Sequence, residues 1–261
     1  MIDFKNVSYL REGQQTILNK LNWHVNPGEH WGILGLNGAG KTTLLQLITG
    51  YIWPSSGELT VLAERFGQTS IPELRKRIGW VSSALQSRLR EDDLAEEIVL
   101  SGKFASIGLH QVVTAEELQA AADLLKSIGG EAFIGKKYAV LSQGQRQITL
   151  IARALMAQPE ILILDEPCNG LDLFAREELL SRIKQLAQQE QGPTLIFVTH
   201  YPEELLPCFA QLLLLKDGEI FQQGQRSDLL NLANLTQFYG KEIKIHQLSE
   251  NRVSITPASP S

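Results

Sequence analysis

Nine residues near the N-terminus have the composition of a loop that wraps a phosphate chain. Residues 35–43, GLNGAGKTT, fit the pattern G-x-x-x-x-G-K-[ST]. Glycines let backbone N–H groups approach phosphate oxygens, and the helix expected next presents its positive end to the same anion. In this pattern Lys41 reaches the β- and γ-phosphates, and the Thr42 hydroxyl binds Mg²⁺. The other residues of the predicted phosphate cradle are Asn37, Gly38, Ala39, Gly40 and Thr43.

An apolar run that ends in two carboxylates occurs later in the chain. Residues 161–166 have the sequence ILILDE. An ordinary strand end can look the same, but in a chain with a phosphate loop the pattern favours phosphate chemistry. We therefore expect Asp165 to hold Mg²⁺, in part through water, and Glu166 to polarise an attacking water as general base.

A second loop with phosphate-binding features precedes that strand. Residues 141–145, LSQGQ, place a serine and a glycine at the start of a predicted helix. A serine hydroxyl, glycine N–H groups and a helix N-terminus all favour an anion. One nucleotide needs only one of the two loops, so the pair indicates a nucleotide shared between two copies of the chain.

The elements that must position these loops alternate between strands and helices. Strands are predicted at residues 2–9, 17–25, 31–34, 77–81, 161–164, 194–199, 211–215 and 219–222. Helices are predicted at 41–49, 92–102, 114–128, 142–157 and 173–188. Thr114 and Glu117 form a capping box, and Lys216-Asp217-Gly218 is a hairpin turn. The alternation indicates an α/β fold with a mostly parallel sheet.

Composition shifts along the chain suggest its organisation. Residues 85–158 are rich in helical patterns and are predicted as a helical subdomain that carries LSQGQ. It is inserted into a core of residues 1–84 and 159–240. Residues 241–261 are predicted as a polar C-terminal tail, and the part from 249 onward, rich in Ser and Pro, as mobile.

The overall composition excludes several classes of protein. The 261 residues are 43% hydrophobic and 20% charged, which allows a sizeable core. A net charge of −5 and the lack of a basic block argue against a nucleic-acid binder. The longest apolar runs are far shorter than the roughly 20 residues of a spanning helix, so other subunits would have to cross a membrane. Cys168 and Cys208 are expected as free thiols in a reducing compartment, with a disulfide between them as the alternative.

The order of these motifs resembles that of the ATPase subunits of ABC transporters. The resemblance covers residues 2–240 and includes the phosphate loop, the helical insert, LSQGQ, ILILDEP, NGLD at 169–172 and a strand ending in His200. It implies a P-loop NTPase core with an antiparallel β subdomain, and ATP and Mg²⁺ as ligands. It further implies a head-to-tail pair of copies, in which Ser142, Gly144 and Gln145 of one contact the γ-phosphate held by the other.

The resemblance also assigns roles to single residues. Asp172 would lie at the dimer seam, and His200 would hydrogen-bond the γ-phosphate and help to place the water. Tyr9 matches the aromatic residue that stacks on adenine, with simple packing as the alternative. Arg146 and Arg153 fit the family's helix after LSQGQ, with a solvated face as the alternative.

Three positions depart from the family's pattern. The glutamine expected just after the strand at 78–81 aligns with Ser83, and Gln86 follows three residues later. Either Gln86 reaches the Mg²⁺ and the attacking water, which we favour, or Ser83 replaces the amide through a water. Gln143 occupies a position where glycine is commonest, so its side chain must point away from the phosphate. Cys168 replaces Ser or Thr as a small packing residue.

The implied function is an ATP-hydrolysing subunit that energises a separate integral membrane permease. Segment 98–111 is similar to ATPases related to molybdate uptake, and more loosely to those of metal-chelate importers, so a substrate-binding protein is a further expected partner. The expected location is the cytoplasm, peripheral on the inner face of the cell membrane. The alternative is a soluble ABC-type ATPase with a regulatory, repair or ribosome-associated role. A non-catalytic scaffold is disfavoured because Glu166 and His200 are both present.

Overall fold

The computed structural model describes residues 1–11, 15–68 and 70–258, without the side chain of Glu250. Its strands are β1 (Ile2–Arg11), β2 (Gln15–Val25), β3 (Trp31–Gly35), β4 (Ser56–Val61), β5 (Glu64–Arg65), β6 (Ile78–Val81), β7 (Ile161–Asp165), β8 (Thr194–Thr199), β9 (Gln211–Lys216), β10 (Glu219–Gln225), β11 (Ile243–Gln247) and β12 (Val253–Pro257). Its α-helices are α1 (Lys41–Ile48), α2 (Ile71–Lys76), α3 (Ser83–Gln86), α4 (Ala95–Ser101), α5 (Ala115–Ser127), α6 (Gln143–Leu155), α7 (Leu173–Ala187), α8 (Arg226–Leu229) and α9 (Leu232–Tyr239).

The chain divides into two compact units. The first consists of residues 1–75 and 194–261, and the second of residues 76–193. The predicted helical subdomain, 85–158, lies within the second unit, which also contains β6, β7 and α7. The phosphate loop belongs to the first unit, and LSQGQ and ILILDE belong to the second.

The first unit contains an antiparallel sheet and a mostly parallel one. The antiparallel sheet has the strand order β2-β1-β4-β5. In the other, β3 pairs in parallel with β8 and β9, and β10 pairs antiparallel with β9. All five residues of β3 are buried, as expected for a strand covered on both faces. The predicted α/β class is therefore confirmed.

The second unit is built on the parallel pair β6 and β7, with a group of packed helices. Helices α4, α5 and α6 contact one another through buried apolar residues that include Ile98, Leu125 and Ile151. At Gly102, an added Cβ would lie 1.9 Å from the carbonyl oxygen of Arg153, so the two backbones meet where only glycine fits. The Arg153 guanidinium donates to Ser101 Oγ at 3.2 Å and is therefore not simply solvated.

The C-terminal segment forms a hairpin. Strands β11 and β12 pair antiparallel from Ile243↔Pro257 to Gln247↔Val253. Val253 is 4% exposed, and Arg226 Nη2 donates to the Asn251 carbonyl at 2.6 Å. The prediction of a mobile segment from 249 is therefore wrong as far as residue 258, and 259–261 lie outside the described residues. Alternating apolar residues in IKIHQ and VSITP gave a strand signal that the Ser and Pro content obscured.

Candidate functional site

The predicted phosphate loop connects the buried strand β3 to α1. Gly38 and Gly40 have φ values of 81° and 100°, left-handed conformations that glycine adopts without strain. Gly40 is the N-cap of α1, and the first helical bond runs from Leu44 N to Gly40 O. The N–H groups of the first turn have no carbonyl within the helix to bond, so they can hold phosphate oxygens.

The two side chains assigned to the nucleotide and its metal ion differ in exposure. Lys41 is only 8% exposed, and its Nζ donates to the carbonyls of Gly35 at 2.8 Å and Leu36 at 3.3 Å. Its charge is thus held close to the backbone of the loop itself. Thr42 is exposed at the same turn. This unit therefore offers a cation, N–H donors and a hydroxyl around one loop.

The hairpin turn between β9 and β10 supports the phosphate loop through a backbone hydrogen bond. Gly218 N donates to Ala39 O at 3.1 Å, and Gly218 O accepts from Asn19 N at 2.9 Å. Asp217 and Gly218 both have positive φ, as tight two-residue hairpins require. A Cβ on Gly218 would lie 2.2 Å from Ile17 O. The sequence predicted this turn, but not its contact with the loop.

Tyr9 lies on the antiparallel sheet of the same unit. It is half-buried on β1 and pairs with Leu18 of β2. Leu18 in turn packs against the phosphate loop, since a Cβ on Gly40 would lie 2.7 Å from Leu18 Cδ2. Tyr9 is thereby placed one strand away from the loop that would hold a nucleotide.

His200 follows β8 in a turn that is fixed by its neighbours. Thr199 Oγ1 donates to Glu204 Oε2 at 2.5 Å and accepts from Tyr201 N at 3.0 Å. The His200 and Tyr201 rings are in contact, with centroids 3.9 Å apart. The predicted His200 thus lies on an anchored turn within the unit that contains the phosphate loop.

In the second unit, the predicted acids lie at the end of β7. Four buried apolar residues precede Asp165, which is half-buried. Glu166 has φ 49°, a left-handed conformation that costs a non-glycine residue about 1–2 kcal/mol. Asn169 N donates to Glu166 O at 3.1 Å and closes the turn. Strain of this kind is concentrated at functional sites.

The LSQGQ loop is fixed by a capping box and by an arginine. Ser142 Oγ accepts from Gln145 N at 3.3 Å, and Gln145 Oε1 accepts from Ser142 N at 3.0 Å. Arg146 donates to the carbonyls of Leu141 at 3.1 Å and Ala139 at 3.0 Å, so it braces the loop. The guanidinium also lies 4.8 Å from the ring centroid of Tyr138. Burial raises the pKa of Tyr138 to about 12, and the positive charge of Arg146 lowers it only in part.

The region where the family's pattern places a glutamine is the short helix α3. Ser83 is the exposed first residue of α3, and Gln86 is its last residue. The side-chain amide of Gln86 forms two hydrogen bonds with that of Gln143, at 2.9 and 3.2 Å. Gln86 therefore directs its amide to the LSQGQ loop. This contact joins Gln86 to Gln143, one of the positions at which the sequence departs from the family's pattern.

Asp172 caps α7, where its carboxylate accepts from Ala175 N at 2.9 Å. The next two residues are apolar and exposed, with Phe174 84% exposed. Cys168, four residues earlier, is buried and Cys208 is half-buried, and the described residues contain no disulfide bond between them.

The residues that could hold Mg²⁺ suit an ion shared with phosphates. Within residues 1–11, 15–68 and 70–258, no group of three or more His, Cys, Asp or Glu side chains could hold a metal ion alone. Mg²⁺ is commonly bound by one or two protein oxygens together with waters and substrate phosphates. A hydroxyl at Thr42 and a carboxylate at Asp165 are of this type. No helix in the described part of the chain is long and apolar enough to cross a bilayer.

Comparisons with known proteins identify a family to which this chain is similar. A family model described as ABC transporter matches residues 18–169. A second model, described as an AAA domain, matches only residues 136–205. An uncharacterized ABC transporter ATP-binding protein of Lactococcus lactis is 46% identical over 259 residues, which are 99% of each chain.

Solved structures extend the comparison to the fold. A transporter described as of the metal-chelate type, in an inward-facing conformation, superposes with a TM-score of 0.78 at 27% identity, covering 99% of this chain and 97% of that one. A dimeric ATP-binding cassette with ADP and Pi bound superposes with a TM-score of 0.72 at 29% identity. There the coverage is 86% of this chain and 98% of that one.

Proposed function

This chain belongs to the ABC transporter family as an ATP-binding subunit, and we propose that it drives a separate membrane permease by hydrolysing ATP between two copies of itself. The observation that carries the proposal is the presence of two anion-binding turns in one chain. One is the glycine-capped turn at Lys41, and the other is the serine-capped turn at Ser142. A chain that used its ATP alone would need only the first.

Within one copy, we propose a role for each group. The first-turn N–H groups of α1 and the ammonium of Lys41 hold the phosphates. Thr42 and Asp165 hold Mg²⁺, which when bound neutralises charge on the phosphate oxygens. Glu166 accepts a proton from the attacking water, and His200 hydrogen-bonds the γ-phosphate. Tyr9 stacks on the adenine.

The second copy completes the site. Ser142, Gly144 and Gln145 of that copy face the γ-phosphate, with the N-terminus of α6 behind them. Asp172 lies at the seam between the copies, where the exposed Phe174 gains a partner. The likeness to a cassette dimer with ADP and Pi supports this arrangement.

The proposed transport role is a peripheral one, on the cytoplasmic face of a cell membrane. The permease, and a substrate-binding protein where the transporter is an importer, are separate chains. We propose a metal chelate or molybdate as the cargo class. The similarity of segment 98–111 to molybdate-related ATPases and the likeness to a metal-chelate type transporter support this class.

Gel filtration of Glu166→Gln with ATP and Mg²⁺ tests the shared site. This variant is expected to bind ATP, to hydrolyse it far more slowly and to accumulate as a dimer. The control is Lys41→Ala in the same background, which loses a phosphate-binding charge and should remain monomeric. A Glu166→Gln protein that stays monomeric at saturating ATP would contradict the proposal.

Copurification from detergent-solubilised membranes tests the transport role. Recovery of an integral membrane permease with the chain is the expected result. Recovery of ribosomes or DNA instead would support the alternative of a soluble ABC-type ATPase and contradict the transport role.

A further inference from the structure

Gln86 lies three residues after the position that aligns with the family's glutamine, and it is hydrogen-bonded to Gln143, which stands where glycine is commonest. Gln86 Nε2 donates to Gln143 Oε1 at 2.9 Å, and Gln143 Nε2 donates to Gln86 Oε1 at 3.2 Å. The two residues are 57 positions apart in sequence and lie in the same unit. Each amide therefore donates one hydrogen bond to the other and accepts one from it, so the two bonds close a ring.

This pair competes with a direct role of Gln86 at the metal ion. A glutamine that binds Mg²⁺ offers its amide oxygen, because Mg²⁺ takes oxygen ligands. In Gln86 that oxygen already accepts from Gln143. Both side chains are half-buried, so the two bonds are partly shielded from competing water.

Both partners are well anchored on their own elements. On one side, Gln86 ends α3, which is capped by Ser82, and Leu89 N donates to Gln86 O just before the buried Leu89 side chain. On the other side, Gln143 is the first residue of α6 and follows the cap residue Ser142. A displacement of Gln143 would therefore move the Ser142 turn with it.

The LSQGQ loop is thus held from two sides. Arg146 fixes the carbonyls of Ala139 and Leu141, which precede the turn. Gln86 holds the turn itself, through Gln143. The two hydrogen bonds of the capping box join Ser142 to Gln145, and both lie within the loop.

We propose that Gln86 is a positioning residue that acts through Gln143. This inference rests on the proposed function. Gln86 holds the Ser142 hydroxyl and the Gly144 N–H in the arrangement that receives the γ-phosphate bound by the other copy. This role replaces the direct contact with nucleotide that the sequence favoured for Gln86. Gln86 and Gln143 then act as one hydrogen-bonded pair.

Hydrogen exchange on the nucleotide-free protein tests the contact itself. Gln86→Ala, Gln143→Ala and the double variant are compared, with Gln111→Ala, an exposed glutamine of the same unit, as the control. Each single variant should raise the exchange rate of the Gln145 and Arg146 amides, which donate to Ser142, by about three- to tenfold, and the double variant no further. Unchanged exchange, or rates that multiply in the double variant, would overturn the pairing.

Dimerisation in the Glu166→Gln background tests the positioning role. With ATP and Mg²⁺, the protein concentration that gives half dimer should rise about tenfold in each variant, since a dimer contains two such loops. The affinity of the monomer for ATP should remain within about twofold, because the phosphate loop is untouched. A merely structural pair would lower the melting temperature but leave the dimerisation midpoint at the parent's value.

The outcomes separate this inference from the proposed function. If Glu166→Gln alone fails to dimerise, the shared-site function fails. If it dimerises and all three variants dimerise equally well, only the positioning role fails. If Gln86→Ala impairs dimerisation and Gln143→Ala does not, Gln86 acts directly on the nucleotide, and the inference is overturned.

Discussion

The hydroxyl of Thr199 donates a hydrogen bond to the buried carboxylate of Glu204 at 2.5 Å, and this bond closes the turn that carries His200. The same hydroxyl accepts from Tyr201 N, so one atom fixes both sides of the turn. The placement of His200 therefore depends on a group that itself has no role in the proposed chemistry.

Thr199→Val should lower the free energy of unfolding and slow ATP turnover. Valine has a similar shape but removes both hydrogen bonds, and the loss of stability should be about 1–3 kcal/mol. The matched control is Thr194→Val at the other end of β8, where Oγ1 accepts from Gly28 N at 2.9 Å. Denaturant unfolding should show the larger loss for Thr199→Val, which removes two hydrogen bonds, and turnover per folded molecule should fall only for that variant. An equal fall in both variants would show that the turn has no special effect.

Gly218→Ala should impair ATP binding as well as stability. Gly28 and Gly218 have the same φ of 78°, but a Cβ meets nothing within 4 Å at Gly28 and lies 2.2 Å from Ile17 O at Gly218. Gly28→Ala therefore measures backbone strain alone, about 1–2 kcal/mol. Gly218→Ala should lose about 1–3 kcal/mol more because the backbones must separate. Equilibrium titration with ATP should show weaker binding only for Gly218→Ala, and equal affinities would contradict the bracing role.

Replacements of Glu166 should differ in stability according to their tolerance of a left-handed backbone. Asparagine adopts positive φ more readily than glutamine, so Glu166→Asn should be more stable than Glu166→Gln by about 0.5–1 kcal/mol. Both variants lack the carboxylate and should hydrolyse ATP slowly. Thermal unfolding of the two proteins measures the difference, and coincident melting curves would exclude strain at this residue.

Tyr138→Phe should stabilise the protein. Tyr138 is 1% exposed, and within the described residues its hydroxyl has no hydrogen-bond partner, so its removal should add about 1 kcal/mol. The ring that faces Arg146 is retained. Urea unfolding at neutral pH measures this gain, and a loss of stability would show that the hydroxyl has a partner.

The same pair of proteins gives a pH signature. The pKa of Tyr138 is raised to about 12 in the folded protein, above its ordinary value of 10.0. The folded state therefore keeps its proton to higher pH, and the resulting stability is complete below pH 10 and is lost as the pH rises towards 12. From pH 9 to 11, the wild-type protein should lose stability faster than Tyr138→Phe. Parallel pH profiles would contradict the shifted pKa.

Local chemistry made much of the fold predictable. The strand at 194–199 and the capping box of Thr114 and Glu117 lie where the sequence placed them, because each depends on neighbouring residues alone. Helix α4 was predicted from residue 92 but begins at Ala95, since the Glu97 side chain accepts from Leu94 N and fixes a later start. The short strands β4 and β5 were missed because they are mostly exposed and lack a full apolar alternation.

The positions of the candidate site residues relative to the strands were predictable from the sequence, but the contacts that support them were not. The phosphate loop, Asp165, Glu166 and His200 all lie at the ends of the strands that the motifs indicated. The Gln86–Gln143 pair and the contact of Gly218 with Ala39 join residues that are far apart in sequence. Neither contact has a periodic or local signature, and only the folded chain brings the partners together.

The division of the chain into units has a consequence for the order in which it can fold during synthesis. Residues 76–193 form one unit that is continuous in sequence, so its internal contacts can begin to form as soon as these residues leave the ribosome. The phosphate loop must wait, because β3 pairs with β8 and β9 and its brace is Gly218. At about 5–20 residues per second, the roughly 180 residues between the loop and its brace take on the order of 10–40 s to make. The middle of the chain can therefore be folded before the loop that binds its nucleotide is complete.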